Sequence, residues 1–146
     1  MIELKPQRTG KHHCQIYSKN PKIMKKENMN QLIRSNQMGW KPLDEPGVSG
    51  IFVKSLRYDE ENKRPLSFLL KFEPGATYPA HNHPGGEEVF VVEGSIKFAK
   101  DNLNAGDYLY TAINNKHAVW SKAGCIALFI VPQEVEILKT KNRGLS

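Results

Sequence analysis

The chain changes character at Gly39. Before it, apolar residues recur without a sustained period; after it, short runs rich in β-branched and aromatic residues follow one another between turn signals. Those runs predict strands near 50–57, 66–73, 78–83, 87–93, 95–100, 107–111, 117–121, 125–131 and 134–138. Gly75, Gly85-Gly86, Gly94, Asn104-Ala105-Gly106, Asn114-Asn115 and Gly124 separate many of them. No amphipathic helix intervenes, so the pattern predicts an all-β sandwich or barrel. Upstream, Asn20 suits an N-cap and Pro21 a first helical position, and Ile23, Met24, Met29, Leu32 and Ile33 form a ragged stripe. These predict a short helix ending before Gly39. A length of 146 residues suits one domain, divided here into an N-terminal arm, 1–38, and a β-barrel domain, 39–146.

Two strands are apolar on both faces. Val89 and Val91 share a face with Glu87, while Phe90 and Val92 fill the opposite one; Cys125, Ala127, Phe129 and Val131 alternate with Ile126, Leu128 and Ile130. A strand of a free-standing barrel alternates apolar with polar residues. The outer face therefore needs a cover, either the arm or a second subunit, and a homodimer is expected.

The net charge of +6 suggests nucleic acid until it is mapped. Residues 1–41 hold nine basic against two acidic side chains, and the rest of the chain sums to −1. The excess belongs to the arm, and the body shows no basic surface interleaved with aromatics, so no nucleic-acid partner is expected. No apolar run reaches membrane-span length and the first residues lack a signal's apolar core, so a cytoplasmic protein is expected. Cys14 and Cys125 lie far apart, without metal or redox spacing, and Cys125 sits in an apolar run as a buried thiol.

Candidate chemistry gathers in residues 75–94. His81 and His83, at i and i+2, project from one face of an extended chain. Pro84-Gly85-Gly86 turns the chain, and Glu87 opens the next strand where a carboxylate can return to the same ion. His117 is the candidate for a further ligand. Glu88 is the rival carboxylate. His12-His13-Cys14 could attract a metal, but three consecutive side chains converge poorly on one ion, and they are set aside.

The spacing Gly75-x5-His81-x-His83-x3-Glu87-x6-Gly94 matches the first motif of the cupin superfamily. The second motif, Gly-x5-Pro-x-Gly-x2-His-x3-Asn, maps onto Gly106, Ala112, Asn114, His117 and Ser121, with Pro, Gly and Asn replaced. The wording resembles the ChrR-like cupins most closely: His81-Asn82-His83-Pro84-Gly85-Gly86-Glu87-Glu88, Glu93-Gly94, His117-Ala118-Val119-Trp120-Ser121 and Gly124-Cys125. The resemblance covers about 39 to 132 and implies a double-stranded β-helix, or jelly roll. It implies the metal ligands His81, His83, Glu87 and His117, the spacing to Gly94 favouring Glu87 over Glu88.

One divalent ion per chain is expected, with Zn or Fe(II) foremost and Ni or Mn also compatible with imidazole and carboxylate donors. With Fe(II) the resemblance implies a dioxygenase that cleaves a diketone or hydroxyketone-like small molecule; with Zn, a noncatalytic sensing or ligand-binding module. The helical zinc domain of the anti-sigma relatives is not evident in this sequence, so their regulatory role is not carried over. No catalytic residue is named beyond the ligands. Tyr78, Tyr108, Tyr110 and Trp120 are candidates for positioning a substrate.

Overall fold

Ten strands build two antiparallel sheets that share one long strand, in a computed structural model that describes residues 29–139. The strands are β1 (Lys41–Pro42), β2 (Ile51–Asp59), β3 (Arg64–Phe72), β4 (Thr77–Asn82), β5 (Glu87–Phe98), β6 (Asp101–Asn104), β7 (Tyr108–Thr111), β8 (Lys116–Trp120), β9 (Cys125–Ile130) and β10 (Glu136–Ile137). The first sheet runs β1-β2-β3-β9-β5-β7 and the second β10-β4-β8-β5-β6. This curled all-β architecture is the expected jelly-roll barrel.

The strand β5 joins the sheets. Glu88 to Gly94 pair with β9 in the first, and Ser95 to Phe98 pair with β6 in the second. The sequence reading places a break at Gly94, and the structure instead carries the strand straight through it. Gly94 has φ +72°, and a Cβ there would sit 2.2 Å from the carbonyl oxygen of Gly124. Glycine lets the strand change sheets while the neighbouring backbone approaches closely. Val92 is the extra residue of a bulge just before this point, between the Val91 and Glu93 registers.

Alternation along the shared strand sets what lies inside. Val89, Val91, Ile96 and Phe98 are buried with Ala127 and Phe129 of β9, each of the larger ones contributing about 1.5–3 kcal/mol by leaving water. The other face of β5 keeps Phe90 and Val92 exposed at 44% and 47%, beside Tyr108 and Tyr110 of β7. The apolar outer face read from the sequence is therefore present.

Within 29–38 the only regular element is a single 3-10 turn, Ser35–Gln37. The expected helix otherwise falls outside the described residues, as do His12, His13 and Cys14. Two short elements escape the pattern: β6 is polar at Asp101, Asn102 and Asn104, and β1 spans two residues held by pairing to β2. Lys54 is nearly buried under this entry segment, its ammonium donating to the Ser35 carbonyl at 2.8 Å and lying over the Trp40 ring.

Candidate metal centre

His81 is the penultimate residue of β4 and pairs directly with His117 of β8, so both imidazoles rise from neighbouring strands into the barrel. His83 lies one residue beyond β4, two positions from His81. Its backbone is fixed to the loop after β7, accepting from Asn114 N at 2.7 Å and donating to the Asn115 carbonyl at 3.1 Å. Asn114 stands where the second cupin motif carries glycine, and it keeps the left-handed backbone, φ +62°, that asparagine tolerates. Gly86, also at positive φ, closes the turn by donating to the His83 carbonyl, and Glu87 then opens β5.

These four side chains are all buried, and one ligand atom from each lies within 4.8 Å of every other. The Nε2 atoms of His83 and His117 are 3.0 Å apart, and Oε1 of Glu87 lies 3.6 Å and 3.5 Å from them. Ligands bound at about 2.1 Å in adjacent positions of one ion stand about 3.0–3.4 Å from each other; the two Nε2 atoms are at that spacing and Glu87 Oε1 lies just beyond it. Glu87 Oε1 has no hydrogen-bond partner, a costly state for a buried carboxyl that a cation would relieve. His81 keeps Nδ1 against the Pro79 carbonyl at 2.8 Å, orienting the ring and leaving Nε2 for the site. The donor set fits a divalent ion.

Burial leaves the site neutral without an ion. It lowers the His81 imidazole, pushes His83 down to about 3 and His117 down to about 4, with neighbouring imidazoles adding to the effect on the latter two. It raises the Glu87 carboxyl to about 8. The short His–Glu distances are therefore not ion pairs, since neither partner carries charge near neutral pH. Three neutral imidazoles could bind a cation, and the carboxyl would have to give up a proton to join them.

Glu88 points the other way. It accepts from the Tyr108 hydroxyl at 3.1 Å on the outer face, so Glu87 alone of the two carboxylates faces the cluster.

A cavity of about 170 Å³ opens beside the cluster, with His81 and Glu87 in its wall and apolar side chains such as Phe68, Leu70, Phe72 and Phe129 around them. Tyr78 reaches the wall as well, because an irregularity between Tyr78 and His81 shifts the parity of β4. Its hydroxyl donates to Glu45 at 2.5 Å, and burial, then this bond, raises its pKa. The other aromatic candidates do not reach the wall. Tyr108 and Tyr110 pair with Phe90 and Glu88 and so share the outer face, 58% and 56% exposed, and Trp120 is 41% exposed on β8. The sequence reading missed Glu45, Arg64 and Glu134 in the wall. Their approach is purely tertiary, and no local spacing announces it. Ser121, standing where the motif carries asparagine, is fully buried and donates to the Ser95 carbonyl at 2.6 Å. Cys125 is a buried free thiol whose pKa burial raises to about 12.

Comparison with known proteins places this geometry. Residues 28–135 match the ChrR Cupin-like domain family, extending the resemblance slightly at both ends. The DNA damage-repair/toleration protein DRT102 of Arabidopsis thaliana is 33% identical over 61 residues, a match covering 38% of this chain and only 20% of that protein's length. Among solved structures, an RmlC-like cupin protein from Ralstonia eutropha superposes with a TM-score of 0.70 at 23% identity, over 85% of this chain and 82% of that one. A putative acetylacetone dioxygenase from Methylibium petroleiphilum superposes with a TM-score of 0.69 at 19% identity, over 85% and 91%. At these identities the structural likeness speaks to the fold. No helix among the described residues is long and apolar enough to cross a membrane. With the match spanning most of the chain and the barrel present in the structure, the protein belongs to the ChrR Cupin-like domain family.

Proposed function

We propose that the chain is a metal-dependent enzyme of dioxygenase type, oxidatively cleaving a small diketone or hydroxyketone, with the ion held by His81, His83, Glu87 and His117. The observation that carries this reading is the juxtaposition of the four-residue cluster with an apolar cavity whose wall includes two of its members. A site with only a structural role has no need of such a cavity. At about 170 Å³ the space suits a compact molecule, below the roughly 300–1,000 Å³ typical of drug-sized pockets. The fold likeness to a putative acetylacetone dioxygenase supports the same substrate class by analogy.

Fe(II) at the four ligands would supply the redox chemistry. The chain's own residues bind and shield. Apolar walls exclude water, which strengthens polar interactions within the cavity. Arg64 brings a cation to the wall, its guanidinium donating to the Val131 and Pro132 carbonyls at 2.6 and 3.2 Å, and its charge favours the enolate form of a diketone. Tyr78, tied to Glu45, packs edge-on against the His81 ring at 4.9 Å and helps fix that ligand.

Protein loaded with Fe(II) should consume O2 in the presence of acetylacetone or a related diketone or hydroxyketone, measured with an oxygen electrode. Replacing Arg64 by Leu should raise KM more than it lowers kcat, because the cation acts in binding. Absence of uptake across a broad panel, together with a closed four-coordinate zinc shell, would contradict the enzyme and support the noncatalytic zinc-binding module.

A further inference from the structure

The outer face of the first sheet is apolar at its centre and oppositely charged at its sides. Three adjacent strands, β3, β9 and β5, carry the cross-strand row Lys71–Ile126–Glu93, and the next outward-facing row is Leu69–Leu128–Phe90. Leu128 and Ile126 are half-buried, while Phe90 and Glu93 are exposed. The Lys71 ammonium lies over the rings of Phe52 and Trp40, at 4.8 and 5.2 Å, which holds the positive charge on this face. Basic and acidic edges thus flank an apolar strip centred on β9, the middle strand between β2 and β7.

We infer that this face pairs with a second copy of the chain about a twofold axis that runs along β9, parallel to the strands. That rotation keeps each row and exchanges its sides. Lys71 of one copy then faces Glu93 of the other, twice by symmetry, and Leu69 faces Phe90 across a shared Leu128 centre. The alternative in-plane twofold, across the strands, exchanges rows instead and sets Glu93 of one copy against Glu88 of the other, a like-charge contact. Charge complementarity therefore selects both the occupant and the axis. A twofold contact must be self-complementary, and this face is. The two sheets would stack in the aligned manner of a sandwich, about 10 Å apart.

Sedimentation velocity of the full chain over a wide concentration range tests the pairing. The unaltered protein should be a dimer, and Phe90→Asp should make it monomeric. Lys71→Glu and Glu93→Lys should each weaken the dimer roughly a hundredfold, since each creates two like-charge contacts, and the double variant K71E/E93K should restore it. Glu93 is exposed, so E93K separates lost pairing from lost fold. A monomeric unaltered protein would overturn the inference and leave the face to the chain's own N-terminal residues or to an unrelated partner. A dimer indifferent to Phe90→Asp, or a double variant no tighter than either single one, would equally overturn it.

Discussion

Glu87→Gln should abolish stoichiometric metal binding and, in the ion-free protein at neutral pH, raise stability by about 2 kcal/mol. Both effects come from one buried carboxyl. Burial lifts its pKa from 4.5 to about 8, so between those values the folded state holds a proton that the unfolded state has released. Stability from this group is complete below about pH 4.5 and is lost as pH rises toward 8. At pH 7 the cost is about 3 kcal/mol at about 1.4 kcal/mol per unit, partly offset in the variant by the unpartnered amide that glutamine would bury. The histidines act in the opposite sense. Their lowered values mean that stability falls below about pH 6.5, as the unfolded imidazoles take up protons that the folded ones refuse. Thermal unfolding with chelator present should therefore show the unaltered protein gaining stability from pH 5 to about 6.5, where three histidines outweigh one carboxyl, then losing it toward pH 8, with Glu87→Gln losing less over that second interval. In the unaltered protein metal affinity should climb with pH until about 8 and then level off, because the carboxyl must ionise to bind. Glu88→Gln should leave metal content unchanged, since that side chain meets Tyr108 on the outer face. Metal retained by Glu87→Gln and lost by Glu88→Gln would reverse the assignment.

Gly94→Ala should destabilise the barrel by at least about 3–4 kcal/mol, combining a left-handed backbone with overpacking, and should lower Tm by about 10–15 °C. The new Cβ would meet the Gly124 carbonyl oxygen at 2.2 Å and its carbon at 3.0 Å, both backbone atoms that cannot rotate away. The displaced segment is where β5 passes from one sheet to the other, so the clash reaches both. Gly106→Ala is the control. It also lies at positive φ, +92°, yet a Cβ there would meet nothing within 4 Å, so its cost should stay near the 1–2 kcal/mol of the backbone alone. Equal losses in the two variants, measured by chemical denaturation, would show that the close approach at Gly124 contributes nothing.

Much of the candidate site was legible because the placement of its four side chains depends largely on short-range rules. Two histidines at i and i+2 share a face, and the turn at 84–86 returns Glu87 toward them. The spacing to Gly94 favours Glu87 over Glu88, and the structure turns Glu88 outward to the Tyr108 hydroxyl. His117 needed the motif resemblance, since its pairing with His81 is a sheet register 36 positions away in sequence. What escaped the sequence was set by tertiary contact. Gly94 reads as a strand end, but the strand continues because glycine admits the crossing of sheets. Tyr108 and Tyr110 read as pocket aromatics, yet their register against Phe90 and Glu88 turns them outward. Tyr78 reaches the cavity through an irregularity in β4, and its partner Glu45 comes from a loop 33 residues earlier. Neither β bulges nor loop docking leaves a periodic trace.

If four residues hold one ion, removing any one of them should empty the site. Elemental analysis of untagged protein purified from its own cell, alongside His81→Ala and His117→Ala made the same way, tests it most directly. The unaltered protein should carry about one divalent ion per chain, with near-complete loss in each variant while the strand content persists by circular dichroism. Full metal occupancy in both folded variants would contradict it.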